Sequence, residues 1–180
     1  MKKIVYIALM ALLSLPAMAQ KESSNVRKGN KEYNKEKYAE AEVQYRKGLE
    51  QNPGSFEAHF NLGDALFRQE KYPEAAGEWQ RAAQQLKPGK DGKLSDSDKK
   101  KLAQAYHNIG NSFYAQQDYG KAVEAYKQSL MANPKDDETR YNLVKAMQML
   151  QQQQQQQQQD QDDQQQQQQQ QQQQDQQQQQ

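Results

Sequence analysis

Five positions recur along this chain at fixed spacing, and that recurrence constrains the fold more than any other feature. Gly29 and Gly63 are 34 residues apart, as are Tyr38 and Tyr72, Ala41 and Ala75, and Tyr45 and Trp79. A third copy keeps the internal spacing at Gly110, Tyr119, Ala122, Tyr126 and Pro134, but stands 47 residues after the second, which is 34 plus an insertion of 13. A period of this length marks one supersecondary unit stacked on copies of itself. Each unit carries two stretches of helical apolar period, so the expectation is an all-α stack of helix pairs. The pattern predicts helices over 22–35, 38–51, 55–69, 72–86, 96–116, 119–132 and 136–150.

The recurring residue types have physical reasons. Gly at the eighth place and Ala at the twentieth fit a close crossing of the two helices of a pair, where a larger side chain would hold the backbones apart. The aromatic at the twenty-fourth place (Tyr45, Trp79, Tyr126) is expected to fill space toward the next unit. Asn52-Pro53 and Asn133-Pro134 stop one helix and begin the next turn. The stretch 136–150 fits a first helix without a second. Tyr141, Leu143, Val144, Met147 and Leu150 are expected to form its apolar face, and it is expected to cap the stack. The first helix is weakly apolar, with Val26 and Tyr33 its main apolar contributions, and is expected to fray.

At these residues the chain resembles the tetratricopeptide repeat (TPR) family. The resemblance implies a right-handed α-solenoid of about three TPR helix pairs, with repeats at about 22–55, 56–89 and 103–136, a capping helix over 137–150 and an inserted loop at about 87–100. In that loop Pro88, Gly89 and Gly92 break helix, and Ser95 and Asp96 are candidate N-caps for an extended fifth helix. Asp91, Asp96 and Asp98 do not make a calcium loop. Counted from Asp91, the sixth and twelfth places hold Asp96 and Leu102 where Gly and Glu are needed.

The two ends differ from this domain. Lys2 and Lys3, the apolar run from Ile4 to Leu15, Pro16 and Ala17-Met18-Ala19 read as a signal peptide over 1–19. Its apolar helix would reach about 18 Å, short of the ~30 Å hydrocarbon core. The expectation is export, cleavage near Ala19, a soluble periplasmic product and no direct membrane insertion after cleavage. Residues 151–180 comprise 26 Gln and 4 Asp. With nothing apolar to bury, this tail is expected to be disordered beyond a few helical turns, since Gln is a fair helix former.

Composition then removes whole classes of function. Residues 20–150 carry 22 basic and 19 acidic side chains, which is no basic footprint for nucleic acid. There is no Cys and only two His, so thiol chemistry, disulfides and thiolate metal sites are out. His59 and His107 hold different places in different repeats and are not expected to share a metal. Carboxylates lie among lysines at helix-surface spacing, as ordinary ion pairing arranges them. No catalytic or phosphate-binding motif is present. The reading is a non-enzymatic interaction scaffold with no cofactor and no metal.

The TPR resemblance implies that first helices line a concave groove for an extended segment or helix of a partner protein. The groove places hold Asn30, Tyr33, Phe60, Asn61, Asp64, Phe67, His107, Asn108, Asn111, Tyr114, Tyr141, Asn142 and Lys145. Asn61, Asn108 and Asn142 share the sixth place, so an amide ladder is expected, serving either a bound peptide backbone or structural capping. Some TPR domains clamp a C-terminal carboxylate; Asn30 and Asn61 match its asparagines, but Val26, Gln104 and Asn108 stand at its basic places. Signal peptide, three repeats and a Gln/Asp-rich tail together resemble small exported TPR proteins of the Bacteroides aerotolerance (Bat) group. That implies an envelope partner, such as a membrane-anchored von Willebrand A-type protein. Rival readings are a glycan or small-solute binding protein and a self-assembling structural repeat.

Overall fold

The structure, a computed structural model, describes residues 24–178. The expected signal peptide over 1–19 and its expected cleavage place near Ala19 lie outside the described residues. Seven helices follow one another: α1 (24–33), α2 (Tyr38–Gln51), α3 (Phe56–Arg68), α4 (Tyr72–Gln85), α5 (Asp96–Ala115), α6 (Tyr119–Ala132) and α7 (Asp137–Gln178). From α2 onward each packs on the next. The result is the right-handed α-solenoid of three helix pairs followed by a capping helix.

The helix starts are chemically marked. Ser55 accepts from the Ala58 amide at 3.1 Å, Ser95 from Asp98 at 3.0 Å, Asp118 from Lys121 at 3.2 Å and Asp136 from Thr139 at 3.0 Å. Each cap satisfies an amide that the first helical turn leaves unpaired. Ser95 starts α5 seven residues before the third repeat begins, so the insertion makes a loop and then a longer helix. Within each pair the turn passes through a left-handed residue that is not glycine: Glu36, Glu70 and Gln117, each with φ of 61°. Beside each turn two aromatics meet edge to face, Tyr33 with Tyr38, Phe67 with Tyr72 and Tyr114 with Tyr119, at centroid distances of 5.2, 5.2 and 5.3 Å.

The glycines of the repeat lie beneath the helix-B aromatics. A β-carbon on Gly29, Gly63 or Gly110 would come within 3.0 Å of the ring of Tyr45, Trp79 or Tyr126. The crossing is therefore closed by ring on backbone within each pair, whereas the sequence predicts that these rings fill space toward the next unit. Ala41, Ala75 and Ala122 are fully buried beside these rings. One hydrogen-bonded polar pair is buried in this core. His59 Nδ1 lies 2.6 Å from Glu78 Oε2, and its Nε2 lies 3.0 Å from the Pro53 carbonyl. Burial pushes the Glu78 carboxyl up, but the His59 hydrogen bond and the Arg81 charge outweigh it and hold it below its ordinary value. His59 is thus a packing residue tying α3 to α4.

The C-terminal part differs from expectation. The sequence predicts a capping helix to about 150 and disorder beyond a few turns, whereas α7 continues through the glutamines to Gln178. The physical reason is that Gln costs little in a helix and no Gly or Pro interrupts the tract.

Candidate functional site

The first helices of the pairs place one acceptor each on a common face. Asn30 Oδ1 receives Tyr45 Oη–H at 2.8 Å and Asn61 Nδ2–H at 3.0 Å. Asp64 Oδ1 receives Trp79 Nε1–H at 3.1 Å and Asn108 Nδ2–H at 3.2 Å. Asn111 Oδ1 receives Tyr126 Oη–H at 2.7 Å and Asn142 Nδ2–H at 3.3 Å. Each acceptor therefore joins the second helix of its own pair to the first helix of the following unit. The expected amide ladder exists, and its amides already bond between repeats. Among the described residues no donor reaches the Oδ1 atoms of Asn61, Asn108 or Asn142, so each keeps an acceptor for another molecule.

The acceptor triads are a relationship the groove reading overlooked. The signal for it was present. The twenty-fourth place is Tyr, Trp and Tyr, never Phe, so it always carries a donor, and the ninth place is Asn, Asp and Asn, always an acceptor. Asp64 is the exception in charge. Burial pushes its carboxyl up to about 6, and the Trp79 hydrogen bond only partly offsets that. Indole can only donate, and the Trp79 N–H is shared between Asp64 Oδ1 and the Phe60 carbonyl, each at 3.1 Å.

Four hollows run along this face. One of about 240 Å³ is lined by Asn30, Tyr33, Asn34, Tyr45, Asn61 and Asp64. The next, about 90 Å³, lies among Tyr33, Asp64, Phe67, Arg68, Asn108 and Asn111. A third of about 280 Å³ includes Phe67, Asn111, Tyr114, Asn142 and Lys145. The fourth, about 300 Å³, is framed by Phe60, Gln104, His107, Asn108, Asp136 and Glu138. Together these hold every expected groove residue except Tyr141, which is 69% exposed on α7. His107 is tied down on two sides, with Nδ1 2.6 Å from Thr139 Oγ1 and its ring against Tyr126. Lys145 lies 5.1 Å over the Tyr114 ring and Arg68 lies 4.9 Å over Tyr38, so both cations stay near the groove wall.

A larger cleft of about 690 Å³ lies on the opposite side of α5, between α4 and α6, with Tyr106, Ile109 and Phe113 in its floor. The sequence reading did not find it, because it forms only where α4 and α6 flank the helix between them.

Helix pairs with a shared inner face of amides and aromatics define a helical-repeat binding scaffold. The chain belongs to the tetratricopeptide repeat family: tetratricopeptide repeat profiles match residues 26–91 and 103–136, on either side of the insertion. The first TPR of Spaghetti (RPAP3) bound to the HSP90 peptide SRMEEVD is similar, with 26% identity over 73% of this chain and 94% of that one and a TM-score of 0.63. The N-terminal domain of stress-induced protein-1 from C. elegans shares 24% identity over 73% and 98%, with a TM-score of 0.62. The Arabidopsis OM64 TPR domain shares 16% over 73% and 98%, also at 0.62. No curated protein sequence matches the chain. Among the described residues no helix is long and apolar enough to cross a membrane.

Proposed function

We propose that the chain is a non-enzymatic scaffold that binds an extended segment or a helix of another protein along the four hollows of its inner face. The observation that carries this is the row of acceptor oxygens on Asn61, Asn108 and Asn142. They are held at repeat spacing by bonds to Asn30, Asp64 and Asn111. Such a row can accept from successive backbone amides of a bound chain, while Phe67 and Tyr114 offer flat apolar area. That a similar TPR domain holds an HSP90 peptide supports a protein partner. An acidic C-terminus is disfavoured here. The places that would supply cations hold Val26, which is buried, Gln104, and Asn108, whose amide is bonded to Asp64.

The finer reading puts the partner in the cell envelope, among membrane-anchored von Willebrand A-type proteins of Bat-type complexes. It rests on the export pattern of 1–19 and on the Gln-rich tail. Affinity capture from envelope extract tests both levels. Asn61→Ala with Asn108→Ala is expected to weaken capture by roughly tenfold per folded molecule, at ~0.7 kcal/mol for each lost contact. Lys47→Ala with Lys127→Ala on exposed outer positions of α2 and α6 should leave it nearly unchanged. A larger effect of the lysine pair would put the partner on the outer surface and defeat the groove reading. Intact mass of the exported chain should show Gln20 as the first residue.

A further inference from the structure

We propose that α7 of one copy packs side by side, in parallel, with α7 of a second copy, through Tyr141, Val144 and Met147 and the glutamines that continue their face. The starting point is an uncovered surface. Three of the five large apolar side chains exposed among the described residues are these three, at 69, 50 and 51%. Leu143, Ala146 and Leu150 face the domain instead, against Tyr126 and Val123, so the single apolar face expected from the sequence is divided between two sides of α7. Val144 stands 34 residues after Gly110, at the place where each earlier first helix is covered by its own second helix. Here α7 continues unbroken to Gln178 with no second helix following within the described residues.

The covering element cannot repeat the earlier geometry. At Gly29, Gly63 and Gly110 the covering ring sits where a β-carbon would be, and Val144 has one. What fits is a helix at ordinary packing distance, side chain against side chain. The same face continues at steps of three and four residues: 141, 144, 148, 151, 155 and 158 read Tyr, Val, Gln, Gln, Gln, Gln. This is the spacing of a coiled-coil seam, and it carries no charge as far as 158. A second α7 presents the same neutral surface, and Gln carboxamides both donate and accept, so they pair with one another.

Orientation follows from area. A stable interface needs about 800 Å² per partner, more than three partly exposed side chains can bury. Only a parallel pair lets the contact run on along the glutamines, in a helix that is 42 residues and about 63 Å long. In an antiparallel pair centred on Val144 the two tracts diverge. The next seam step after 158 is Asp162, which a parallel pair sets in register with its counterpart, so pairing should tighten with added salt.

The absence of Cys from the sequence makes the test clean. The mature chain with Gln155→Cys, on the seam, is compared under mild oxidation with Gln157→Cys, about 200° around the helix. Gln155→Cys is expected to cross-link to itself about tenfold faster, and light scattering to give twice the chain mass at high concentration. Val144→Glu with Met147→Glu should cut cross-linking at least about tenfold with helical circular dichroism unchanged. If that variant loses helix, Val144→Ser with Met147→Ser takes its place. A chain mass of one copy at all concentrations, equal cross-linking at both positions, or growth beyond two copies overturns the proposal.

Discussion

Tyr126 lies so close over Gly110 that a β-carbon there would fall within 3.0 Å of three ring atoms, and the same ring donates to Asn111 one residue further on. Packing and polar order in the third pair thus depend on one aromatic. Gly110→Leu would drive this ring away and break both. The expected loss is at least about 1–3 kcal/mol in a urea melt, against less than ~0.5 kcal/mol for Gln128→Ala on the exposed face of α6. Equal losses would mean that the helix crossing does not pass through Gly110.

Asp64 sets a pH dependence whose sign can be stated. Its carboxyl is raised from 3.8 to about 6, chiefly by burial, so the folded chain binds that proton more tightly than the unfolded chain. Its contribution to stability is greatest below about pH 4 and is lost as pH rises from about 4 to 6. Asn keeps the Oδ1 acceptor for Trp79 and Asn108, as Asn30 and Asn111 do in the other repeats. Asp64→Asn should therefore stabilise at about pH 7.5, on the order of 1–3 kcal/mol, and give little at about pH 4. A gain of the same size at both values would show that the carboxylate is not penalised by its site.

The three left-handed turn residues are a third handle. Glu36, Glu70 and Gln117 hold φ of 61° with a full side chain, a conformation that costs a non-glycine residue about 1–2 kcal/mol. Glycine adopts it freely but loses more entropy on folding. Glu70→Gly is expected to raise stability by about 0.5–1 kcal/mol, read from denaturant midpoints. A lower midpoint would show that the Glu70 side chain contributes more than its backbone costs.

Removing 151–180 should shift the thermal midpoint by only a few degrees in dilute solution, because each exposed Gln in a helix is worth only tenths of a kcal/mol. A drop of more than about ten degrees would mean that the tract supports the domain directly.

Much of this architecture was legible because the repeat writes it several times. The spacing of Gly29, Tyr38, Ala41 and Tyr45 placed six of the seven helices to within about two residues, which is the normal scatter of helix ends. The length of α7 was not legible. Its glutamines have no pattern that distinguishes a solvated helix from disorder, and only propensity speaks. The groove residues could be placed by register, but their bonding could not. Asn61 on one helix and Asn30 on another meet only once the stack sets their separation, so a row that reads as free amides turns out to be partly engaged.

The shared acceptors also determine how the stack yields to force. Asn30, Asp64 and Asn111 stitch successive units together along the inner face, while the outer side between α4 and α6 is parted by a cleft of about 690 Å³. A ribbon sewn along one edge and slack along the other flexes about the sewn edge. The spacing of the groove oxygens would then stay constant as the outer helices breathe, and a bound strand would meet a ruler of fixed gradation on a body that bends.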